Sequence, residues 1–345
     1  MNGVSRRPKF SILIPTYKGA GVIKETLQSI FSQSFTDYEI IVSEDCSGDN
    51  IEEVLKSYND PRIKFFRTEK NLGYPGNLER TRQKATGEFL YLMGQDDILG
   101  KDALINTLKA FEMSEDIGAV TRPYFWFDSK IEKPVRAKKQ LNPQKDEIVK
   151  MGDPLDKVIC MFRTLDQLSG LALRSSFVDI PFHSDVFPCH VYPFVSIFKK
   201  HPVVFLSDYN IAVRIGTSQT RHLSTIYEKS PIQSWVDMFN NIFPEDEYRC
   251  FRDNMVKNFV ATNYVGLVQI RNYGKYSWVV REILLLIKYR LVNLLNPAFW
   301  FFSLGTLVVP PSILIPMVDW YKNKIYSSML TDVKFEYSLA KNEIK

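Results

Sequence analysis

The chain has 345 residues, of which 45% are hydrophobic and 24% are charged, and its formal net charge is +5. This composition excludes disordered and collagen-like chains, and the length exceeds what one hydrophobic core usually serves. The mild basic charge comes without an arginine-rich helix or an RNA-binding motif, so we expect no nucleic acid partner. A negatively charged small molecule or a membrane surface suits this charge better.

The cysteines argue for a reducing compartment. Cys46, Cys160, Cys189 and Cys250 are scattered and form no Cys-x-x-Cys pair, which argues against a zinc site or a disulfide framework. The apolar run after the basic N-terminus ends at Pro15 and is too short for a signal peptide. We therefore expect the cytosolic side of the cell.

Strand and helix patterns alternate through the first third of the chain. The strand-like runs are FSILIP, EIIVSED, IKFFRT and EFLYLMG, and the helical patterns between them are GVIKETLQSIFSQ, NIEEVLKSY and NLERTRQKA. This alternation predicts βαβ units, and strands that are apolar throughout predict burial on both faces of a sheet. The fold class that follows is α/β, with a doubly wound, mostly parallel (mixed) sheet flanked by helices.

The middle of the chain continues with less regular patterns. A helix at KDALINTLKAFEM precedes one strand-like run at residues 117–128, and a second helix at YPFVSIFKK precedes one strand-like run at residues 203–214. Between these parts, residues 129–150 are basic and poor in apolar residues. They predict a loop, which is either a solvated charged surface or a lid over an anionic ligand.

The C-terminal part contains an uncharged stretch, residues 296–318, that is long enough to span a bilayer. It contains prolines that would break a straight helix, so a re-entrant or interfacial hairpin is an equal alternative. These are Pro310, Pro311 and Pro316. Aromatic residues bracket the stretch as interface anchors do, and a buried helical pair is the third alternative. We expect membrane association through residues 281–321.

Three polar motifs follow strand-like runs, where open α/β sheets bind their ligands. They are IPTY with Pro15, Thr16 and Tyr17, VSEDCSGD with Asp45, and the Asp96–Asp97 pair after EFLYLMG. Adjacent carboxylates repel each other unless a cation or hydroxyl donors hold them, and Mg²⁺ uses one or two carboxylates together with substrate phosphates. The pair therefore predicts a metal-diphosphate site, with a turn and helix N-cap as the alternative. Asp45 could accept a hydrogen bond from a pyrimidine base.

The order and spacing of these motifs resemble a known family. The segments FSILIPTYKGAGVIKETLQSIFSQSFTDYEIIVSEDCSGDN and NLGYPGNLERTRQKATGEFLYLMGQDDIL resemble the nucleotide-sugar half of family 2 inverting glycosyltransferases with the GT-A fold, of the bacterial surface-polysaccharide type. The resemblance covers residues 8–110 and continues weakly to about residue 222. It implies a nucleoside-diphosphate sugar donor, usually a uridine or thymidine one, and Mg²⁺ or Mn²⁺.

The resemblance also assigns roles to individual residues. It implies that a nucleoside pocket is lined by Pro15, Thr16 and Tyr17, with Asp45 on the base and the segment from Asn71 to Asn77 near the nucleotide. Asp96 would bind ribose or metal, and Asp97 would hold the metal. Family members commonly have Asp-x-Asp-Asp where this chain has Gly94-Gln95-Asp96-Asp97, so one acidic residue is missing.

The catalytic base is open between two residues. Family members place an acidic base at the start of a helix, and the matching position here is His190, with Asp185 as the rival. An imidazole can act as a base near neutral pH without a large pKa shift. Relatives also have a His after an Arg following the next strand. This chain keeps Arg214 but has Gly216, and His222 lies further on.

Together these patterns predict three segments. Residues 1–115 would form the nucleotide-sugar-binding half of a GT-A domain, residues 116–225 the acceptor-binding half, and residues 226–345 a membrane-associated helical region. The expected function is inverting transfer of a sugar, from a UDP-sugar first of all, to a lipid-linked or growing surface polysaccharide acceptor, with a polyprenyl-diphosphate-linked saccharide as one candidate. The enzyme would work on the cytoplasmic side of the plasma membrane as a peripheral or monotopic protein. The alternatives are a catalytically degenerate scaffold and a sugar nucleotidyltransferase.

Overall fold

The chain divides into two compact units in a computed structural model that describes residues 7–216 and 224–340. The first unit comprises Met1–Ser184, Cys189–Arg214 and Asp332–Lys345, and the second comprises Asp185–Pro188 and Ile215–Thr331. The chain therefore leaves the first unit after Arg214 and returns to it at Asp332. The sequence patterns do not predict this return.

The main sheet of the first unit contains eight strands within the described residues. They are β1 (Phe10–Thr16), β2 (Tyr38–Glu44), β3 (Ile63–Arg67), β4 (Phe89–Leu92), β6 (Ala119–Thr121), β9 (Glu147–Val149), β10 (Ala172–Arg174) and β11 (Val203–Phe205). Their order is β3-β2-β1-β4-β10-β6-β11-β9. The pairs among β1 to β4 are parallel, whereas β10 is antiparallel to both of its neighbours. The sheet is therefore mostly parallel on one side and mixed on the other.

Helices flank the sheet, and all of them except the one at Leu155–Phe162 lie where the periodic patterns predict. They are α1 (Ile23–Phe31), α2 (Ile51–Lys56), α3 (Gly73–Gln83), α4 (Ala103–Glu112), α5 (Leu155–Phe162) and α6 (Val191–Lys200). In α1 the side chains of Ile23, Leu27 and Ile30 recur at helical spacing and are fully buried in the core cluster that includes β1 and β2. This apolar face holds α1 against the sheet and fixes the turn that follows β1.

A second, smaller sheet in the first unit corrects two strand predictions. It contains β5 (Ile98–Leu99), β7 (Phe125–Phe127), β8 (Pro134–Ala137) and β12 (Ile211–Arg214), in the order β5-β12-β7-β8. The runs at residues 117–128 and 203–214 were each expected to form one strand, and each forms two strands that lie in different sheets. Apolar periodicity does not show that a chain changes sheets halfway along a run.

The loop expected at residues 129–150 is also wrong in part, because it contains β8 and β9. Both are antiparallel edge strands, β8 beside β7 and β9 beside β11. Only Val135 and Val149 of these two strands are buried. An edge strand needs few apolar residues, so its pattern resembles that of a charged loop.

The second unit is helical. Its helices are α7 (Pro231–Ile242), α8 (Arg249–Asn258), α9 (Val265–Tyr273), α10 (Tyr276–Tyr289), α11 (Pro297–Val308) and α12 (Pro311–Trp320). The uncharged stretch of residues 296–318 is divided between α11 and α12, which are separated at Pro310. Within residues 7–216 and 224–340, none of the helices has the length and apolar character needed to cross a membrane.

Candidate active site

Polar residues gather at one edge of the main sheet, because three neighbouring strands end there. β1 pairs in parallel with both β2 and β4. The carboxyl ends of parallel strands meet at one edge, so residues 15–17, 44–45 and 94–97 border the same crevice. We call residues 94–97 the acidic turn. The structure thus brings together the three motifs that the sequence singled out.

The two carboxylates of the acidic turn converge over Gly94. A Cβ atom on Gly94 would lie 2.6 Å from Asp97 Oδ2 and 3.2 Å from Asp96 Oδ1. The absent side chain therefore leaves a small space that oxygen atoms of both acids face. An acidic residue at position 94 would require the Asp97 side chain to shift, so the departure from Asp-x-Asp-Asp is part of the geometry of this turn.

Asp97 is the more constrained of the two acids. Its side chain is buried, Oδ1 accepts the backbone N–H of Arg214 at 2.9 Å, and Oδ2 accepts from Ser169 Oγ at 2.5 Å and Gln167 Nε2 at 2.6 Å. Burial raises the pKa of Asp97 to about 7, and the charge of Asp96 adds to this effect against the opposing influence of the three donors. The carboxylate is therefore fixed in position. Keeping it ionised there costs free energy, and a nearby cation would reduce this cost.

Asp96 is only half-buried and lies beside the end of β12. Arg214 Nε donates to the backbone carbonyl of Asp96 at 3.3 Å, and the Arg214 guanidinium forms an ion pair with Glu25. β5 starts directly after Asp97, and α4 does not begin until Ala103. The alternative that the acidic pair caps a helix is therefore wrong.

The turn after β1 is bonded to the acidic turn. The backbone N–H of Tyr17 donates to Gln95 Oε1 at 3.0 Å, and Gln95 Nε2 donates to the Tyr17 carbonyl at 3.2 Å. Pro15 is half-buried and Thr16 is buried, with Thr16 Oγ1 donating to the Ser43 carbonyl at 3.2 Å. Gln95, which the sequence did not single out, thus holds the two sides of the crevice together.

Asp45 supports the segment that leads into α3. It is buried, and its Oδ1 accepts from the backbone N–H of Leu72 at 2.7 Å and from Thr68 Oγ1 at 3.2 Å. These bonds place residues 68–72 beside the end of β2. Within the described part of the chain Asp45 Oδ2 accepts no hydrogen bond, and this is the oxygen that the expected contact to a base would use.

Asn77 and Asn71 have different surroundings. Asn77 is buried, and its Nδ2 donates to the carbonyls of Ser43 at 2.8 Å and Thr16 at 3.2 Å, so it joins the ends of β1 and β2. Its Oδ1 is buried and has no hydrogen-bond partner among the residues that the structure describes. Asn71 is exposed, and its Oδ1 accepts from the Gly73 N–H at 2.9 Å, which starts α3.

His190 is a buried, neutral imidazole with both nitrogens bonded. Nε2 lies 2.9 Å from the Leu165 carbonyl, which can only accept, so Nε2 carries the proton. Nδ1 then accepts from the Tyr74 hydroxyl at 3.1 Å. Burial lowers the pKa of His190 to about 4, against the opposing effects of the Leu165 carbonyl and the Asp166 charge. An acceptor hydroxyl would have to displace Tyr74 to reach the ring.

Asp185, the rival candidate, belongs to the second unit. It is buried, and its Oδ2 accepts from Ser234 Oγ at 2.7 Å while its Oδ1 accepts from the Phe187 N–H at 3.3 Å. The ammonium of Lys229 lies 4.0 Å away. Asp185 therefore joins two segments of the helical unit. His222, the other histidine considered, lies outside the described residues.

Asp166 is an acidic residue near this site that the sequence analysis missed. Its side chain is 44% exposed, and it accepts from the Tyr124 hydroxyl and from Lys138 Nζ at 2.6 Å. The neighbouring residue Gln167 contacts Asp97, so Asp166 lies on the loop that fixes the acidic turn. Burial acts to raise its pKa, but Lys138, the nearby Arg136 charge and Tyr124 outweigh it and hold the pKa below the usual range.

The electrostatics of Tyr124 connect Asp166 with the acidic turn. Burial raises the pKa of Tyr124 well above its usual value, Asp166 adds to the shift, and Asp97 contributes in the same direction. Asp166 and Asp97 therefore both act on the same phenol. No sequence signal marks Asp166, because TLDQLSG matches no catalytic motif and its partners lie far away in the chain.

The residues present fit a divalent cation that brings further ligands with its substrate. No group of three or more His, Cys, Asp or Glu side chains in the described residues could hold a metal by itself. Two acidic oxygens nonetheless face the space over Gly94, and Mg²⁺ needs only one or two carboxylates when phosphates complete its shell. Carboxylate oxygens are also the ligands that such a hard cation prefers. The acidic turn thus suits a cation that binds together with a diphosphate.

Comparison with known proteins shows similarity to glycosyltransferases. Residues 11–165 match the family model described as Glycosyl transferase family 2. Over 100 residues the chain is 36% identical to the poly(ribitol-phosphate) β-N-acetylglucosaminyltransferase TarS of Staphylococcus aureus, a match covering 28% of this chain and 18% of TarS. It is also 36% identical over 100 residues to the GalNAc(5)-diNAcBac-PP-undecaprenol β-1,3-glucosyltransferase of Campylobacter jejuni, covering 28% of this chain and 32% of that enzyme. The match spans less than a third of the length of these curated relatives.

Solved structures confirm the predicted fold. Residues 1–349 of S. aureus TarS in complex with UDP-GlcNAc superpose with a TM-score of 0.60 at 17% sequence identity, covering 97% of each chain. The mannosyltransferase PcManGT of Pyrobaculum calidifontis, in complex with GDP-Man and Mn²⁺, gives a TM-score of 0.53 at 14% identity and covers 96% of this chain and 89% of its own. The α/β class with a mixed sheet flanked by helices, as in the GT-A fold, is therefore confirmed.

Proposed function

Because residues 11–165 match the family model described as Glycosyl transferase family 2, we propose that the chain transfers a sugar from a nucleoside-diphosphate sugar to a saccharide acceptor. The observation that carries the proposal is the convergence of the Asp96 and Asp97 carboxylates over Gly94, at the sheet edge where α/β folds bind nucleotides. A uridine diphosphate sugar is the donor we propose, since the structure of the relative TarS was solved with UDP-GlcNAc.

A divalent cation, Mg²⁺ or Mn²⁺, is the cofactor we propose. Asp96 would hold it directly, because its side chain is the more accessible of the two acids. Asp97 would add negative charge while Ser169, Gln167 and the Arg214 N–H hold it in place. When bound with the donor, the cation would neutralise charge that develops on the departing diphosphate.

The residues at the ends of β1 and β2 suit the nucleoside. The buried Asp45 would accept from the base through Oδ2, while its Oδ1 keeps the segment of residues 68–72 in place. The backbone of Tyr17, fixed by Gln95, would form the opposite wall. These groups bind and orient the donor, and they take no part in moving a proton.

The transfer we propose proceeds with inversion at the anomeric carbon. An acceptor hydroxyl attacks that carbon while the bond to the diphosphate oxygen breaks, and the hydroxyl proton passes to a base of the chain. We propose Asp166 for this role in preference to His190 and Asp185. It is an ionised, partly exposed carboxylate on the loop that holds the acidic turn, and each of its oxygens keeps a lone pair beside the bond from Tyr124 or Lys138. In the buried His190, by contrast, the one acceptor nitrogen is already bonded to Tyr74.

The acceptor we propose is a lipid-linked or growing surface polysaccharide, such as one carried on polyprenyl diphosphate. The Campylobacter jejuni relative is named for an undecaprenol diphosphate acceptor, and TarS for poly(ribitol phosphate). Both acceptor classes are anionic, and Lys138 and the exposed Arg136 flank Asp166 with positive charge. Such an acceptor would bring the enzyme to the cytoplasmic face of the plasma membrane, as a peripheral or monotopic protein.

Turnover of a donor panel tests the proposal. The purified chain, with Mn²⁺ or with EDTA, is given UDP-, dTDP- and GDP-sugars, and release of the nucleoside diphosphate is followed with and without a synthetic polyprenyl-diphosphate disaccharide. We expect metal-dependent release with one or more UDP-sugars and acceleration by the acceptor. No release from any donor, together with no metal-dependent binding of UDP, would contradict transfer and favour the degenerate scaffold.

A further inference from the structure

The second unit presents apolar side chains that its own fold leaves exposed. On α11, Phe301, Leu304 and Val308 are 73%, 52% and 77% exposed. They are separated by three and four residues, which places them on one face of the helix. Isolated exposed apolar residues are common in soluble proteins, but a whole helical face of them is not. This face therefore indicates an environment other than water.

The exposed apolar surface extends beyond α11. α12 has a similar stripe at helical spacing, and the connection between α10 and α11 is apolar and exposed as well. These residues are Ile313, Met317 and Trp320 on α12, and Leu291, Val292, Leu294 and Leu295 in the connection. Both α11 and α12 pack against α9. We call these side chains, with those of α11, the apolar face.

Polar side chains in the same segments point inward. Glu282, Asn293, Ser303 and Thr306 are all fully buried. Asn293 donates to the carbonyls of Ala261 and Leu286, both at 2.9 Å, and accepts from the Tyr264 hydroxyl at 2.6 Å. This inward placement of polar groups and outward placement of apolar groups is the reverse of what a water-facing helix shows.

Positive charge flanks the apolar face. Lys288 and Arg290 precede it in the chain and Lys324 follows it, whereas Lys322 is ion-paired at 2.7 Å with Asp319, the one acid between Lys288 and Lys324. Aromatic residues lie at its borders, and the indole N–H of Trp300 donates to the Leu294 carbonyl at 2.8 Å. Basic and aromatic residues around an apolar surface match the charged head groups and the interface of an anionic bilayer.

We propose that the apolar face binds the surface of a lipid bilayer with anionic head groups, with α11 and α12 lying in the interface. The division of the uncharged stretch at Pro310 leaves two short helices that can each lie along a membrane. The flanking cations contribute attraction to the head groups, and burial of the exposed apolar side chains contributes the rest. The proposal does not depend on the glycosyl transfer proposed above.

Vesicle flotation of the full chain tests this proposal. The wild type, the double variant Phe301→Glu with Val308→Glu, and the control Met113→Glu with Ile148→Glu are mixed with vesicles of phosphatidylcholine alone or with 30% phosphatidylglycerol. The control also places two charges at exposed apolar sites, but in the first unit. We expect the wild type and the control to float with anionic vesicles, and partitioning of the Phe301 and Val308 variant to fall at least tenfold.

Charge and oligomeric state complete the test. Lys288→Glu with Lys324→Glu is expected to weaken binding to anionic vesicles several-fold, and gel filtration with circular dichroism verifies that each variant stays folded. A wild type that floats with neither vesicle overturns the proposal. So does a wild-type dimer that Phe301→Glu with Val308→Glu converts to a monomer without any change in flotation, because the apolar face would then be an interface between two copies.

Discussion

At the scale of single residues, the site depends on the absence of a side chain at Gly94. An added Cβ would meet Asp97 Oδ2 at 2.6 Å and Ser169 Oγ at 3.1 Å. A flexible carboxylate could move away, but three donors hold this one. The residue that departs from the family pattern thus controls where both acids lie, and this gives a direct test of the acidic turn.

Gly94→Ala should therefore displace the acidic turn. We expect the free energy of unfolding to fall by roughly 1–3 kcal/mol, as for other overpacked sites, and metal-dependent UDP affinity to fall with it. Gly21→Ala is the matched control, because no atom lies within 4 Å of its added Cβ. Calorimetric titration and chemical unfolding measure both effects. Equal affinity and stability in the two variants would show that the turn adapts freely.

Asp166→Asn should separate catalysis from donor binding. The amide keeps the size of the side chain but cannot take a proton from an acceptor hydroxyl, so we expect transfer to fall by about 10²- to 10⁴-fold with little change in UDP affinity. Asp128→Asn, an exposed acid of the same unit, is the control. Transfer rates and UDP titrations are compared. Transfer within threefold of the wild type would remove Asp166 from the proton transfer.

The burial of His190 should make the free energy of unfolding depend on pH. Its pKa is about 4 in the folded state, against 6.5 as the ordinary value, so between these values the unfolded chain binds the extra proton. The stability contributed by the neutral ring is present above pH 6.5 and is lost as the pH falls through 4. At 1.36 kcal/mol per pKa unit, this loss is at most roughly 3 kcal/mol.

Urea unfolding of the wild type and of His190→Gln at pH 7 and pH 4.5 checks this prediction. The variant should be less stable at pH 7, because it loses the bonds to Tyr74 and Leu165, but its stability should depend less on pH in this interval. Identical pH dependence in both proteins would show that His190 does not titrate as its burial indicates.

At the scale of secondary-structure elements, regular periodicity decides what the sequence predicts. β1 to β4 and the helices between them follow regular apolar patterns, and their prediction is confirmed. The second sheet is missed because β5 has only two residues and pairs with β12, where Ile211 lies opposite Leu99. Local patterns do not contain such long-range pairings.

The same limit applies to the site. The adjacent carboxylates of Asp96 and Asp97 are visible in the sequence, because strand ends are where α/β folds place ligands. The sequence does not indicate Asp166, because its surroundings are formed by Tyr124 and Lys138, which lie 42 and 28 residues away in the chain. Likewise, only the structure shows that His190 is bonded at both nitrogens.

The returning C-terminal segment should stabilise the second sheet. The ring of Phe335 packs edge-on against Phe125 at 5.0 Å, and the Lys101 N–H donates to the Glu336 carbonyl at 2.7 Å. We expect Phe335→Ala to reduce hydrogen-exchange protection of β5 and β7, with Leu339→Ala, an exposed residue of the same segment, as control. Mass spectrometry of exchanged peptides measures this. Unchanged protection in Phe335→Ala would mean that the segment does not support the sheet.

At the scale of the whole molecule, the chain combines two kinds of unit. The first is an α/β unit in which three strand ends and the loop of Asp166 surround an acidic turn. The second is a helical unit with an outward apolar face. The transfer that we propose, to a lipid-linked acceptor, would use both a donor site and access to a membrane. The two proposals are consistent with each other, yet they rest on separate residues and are tested separately.

The central claim is that the acidic turn binds a nucleoside diphosphate together with a divalent cation. Calorimetric titration of UDP into the purified chain, with Mn²⁺ or with EDTA, tests it most directly when the wild type is compared with Asp96→Asn and the control Asp128→Asn. We expect the wild type and the control to bind UDP only with Mn²⁺, and Asp96→Asn to bind at least tenfold more weakly. Binding that is equal in EDTA, or unchanged in Asp96→Asn, would contradict the claim.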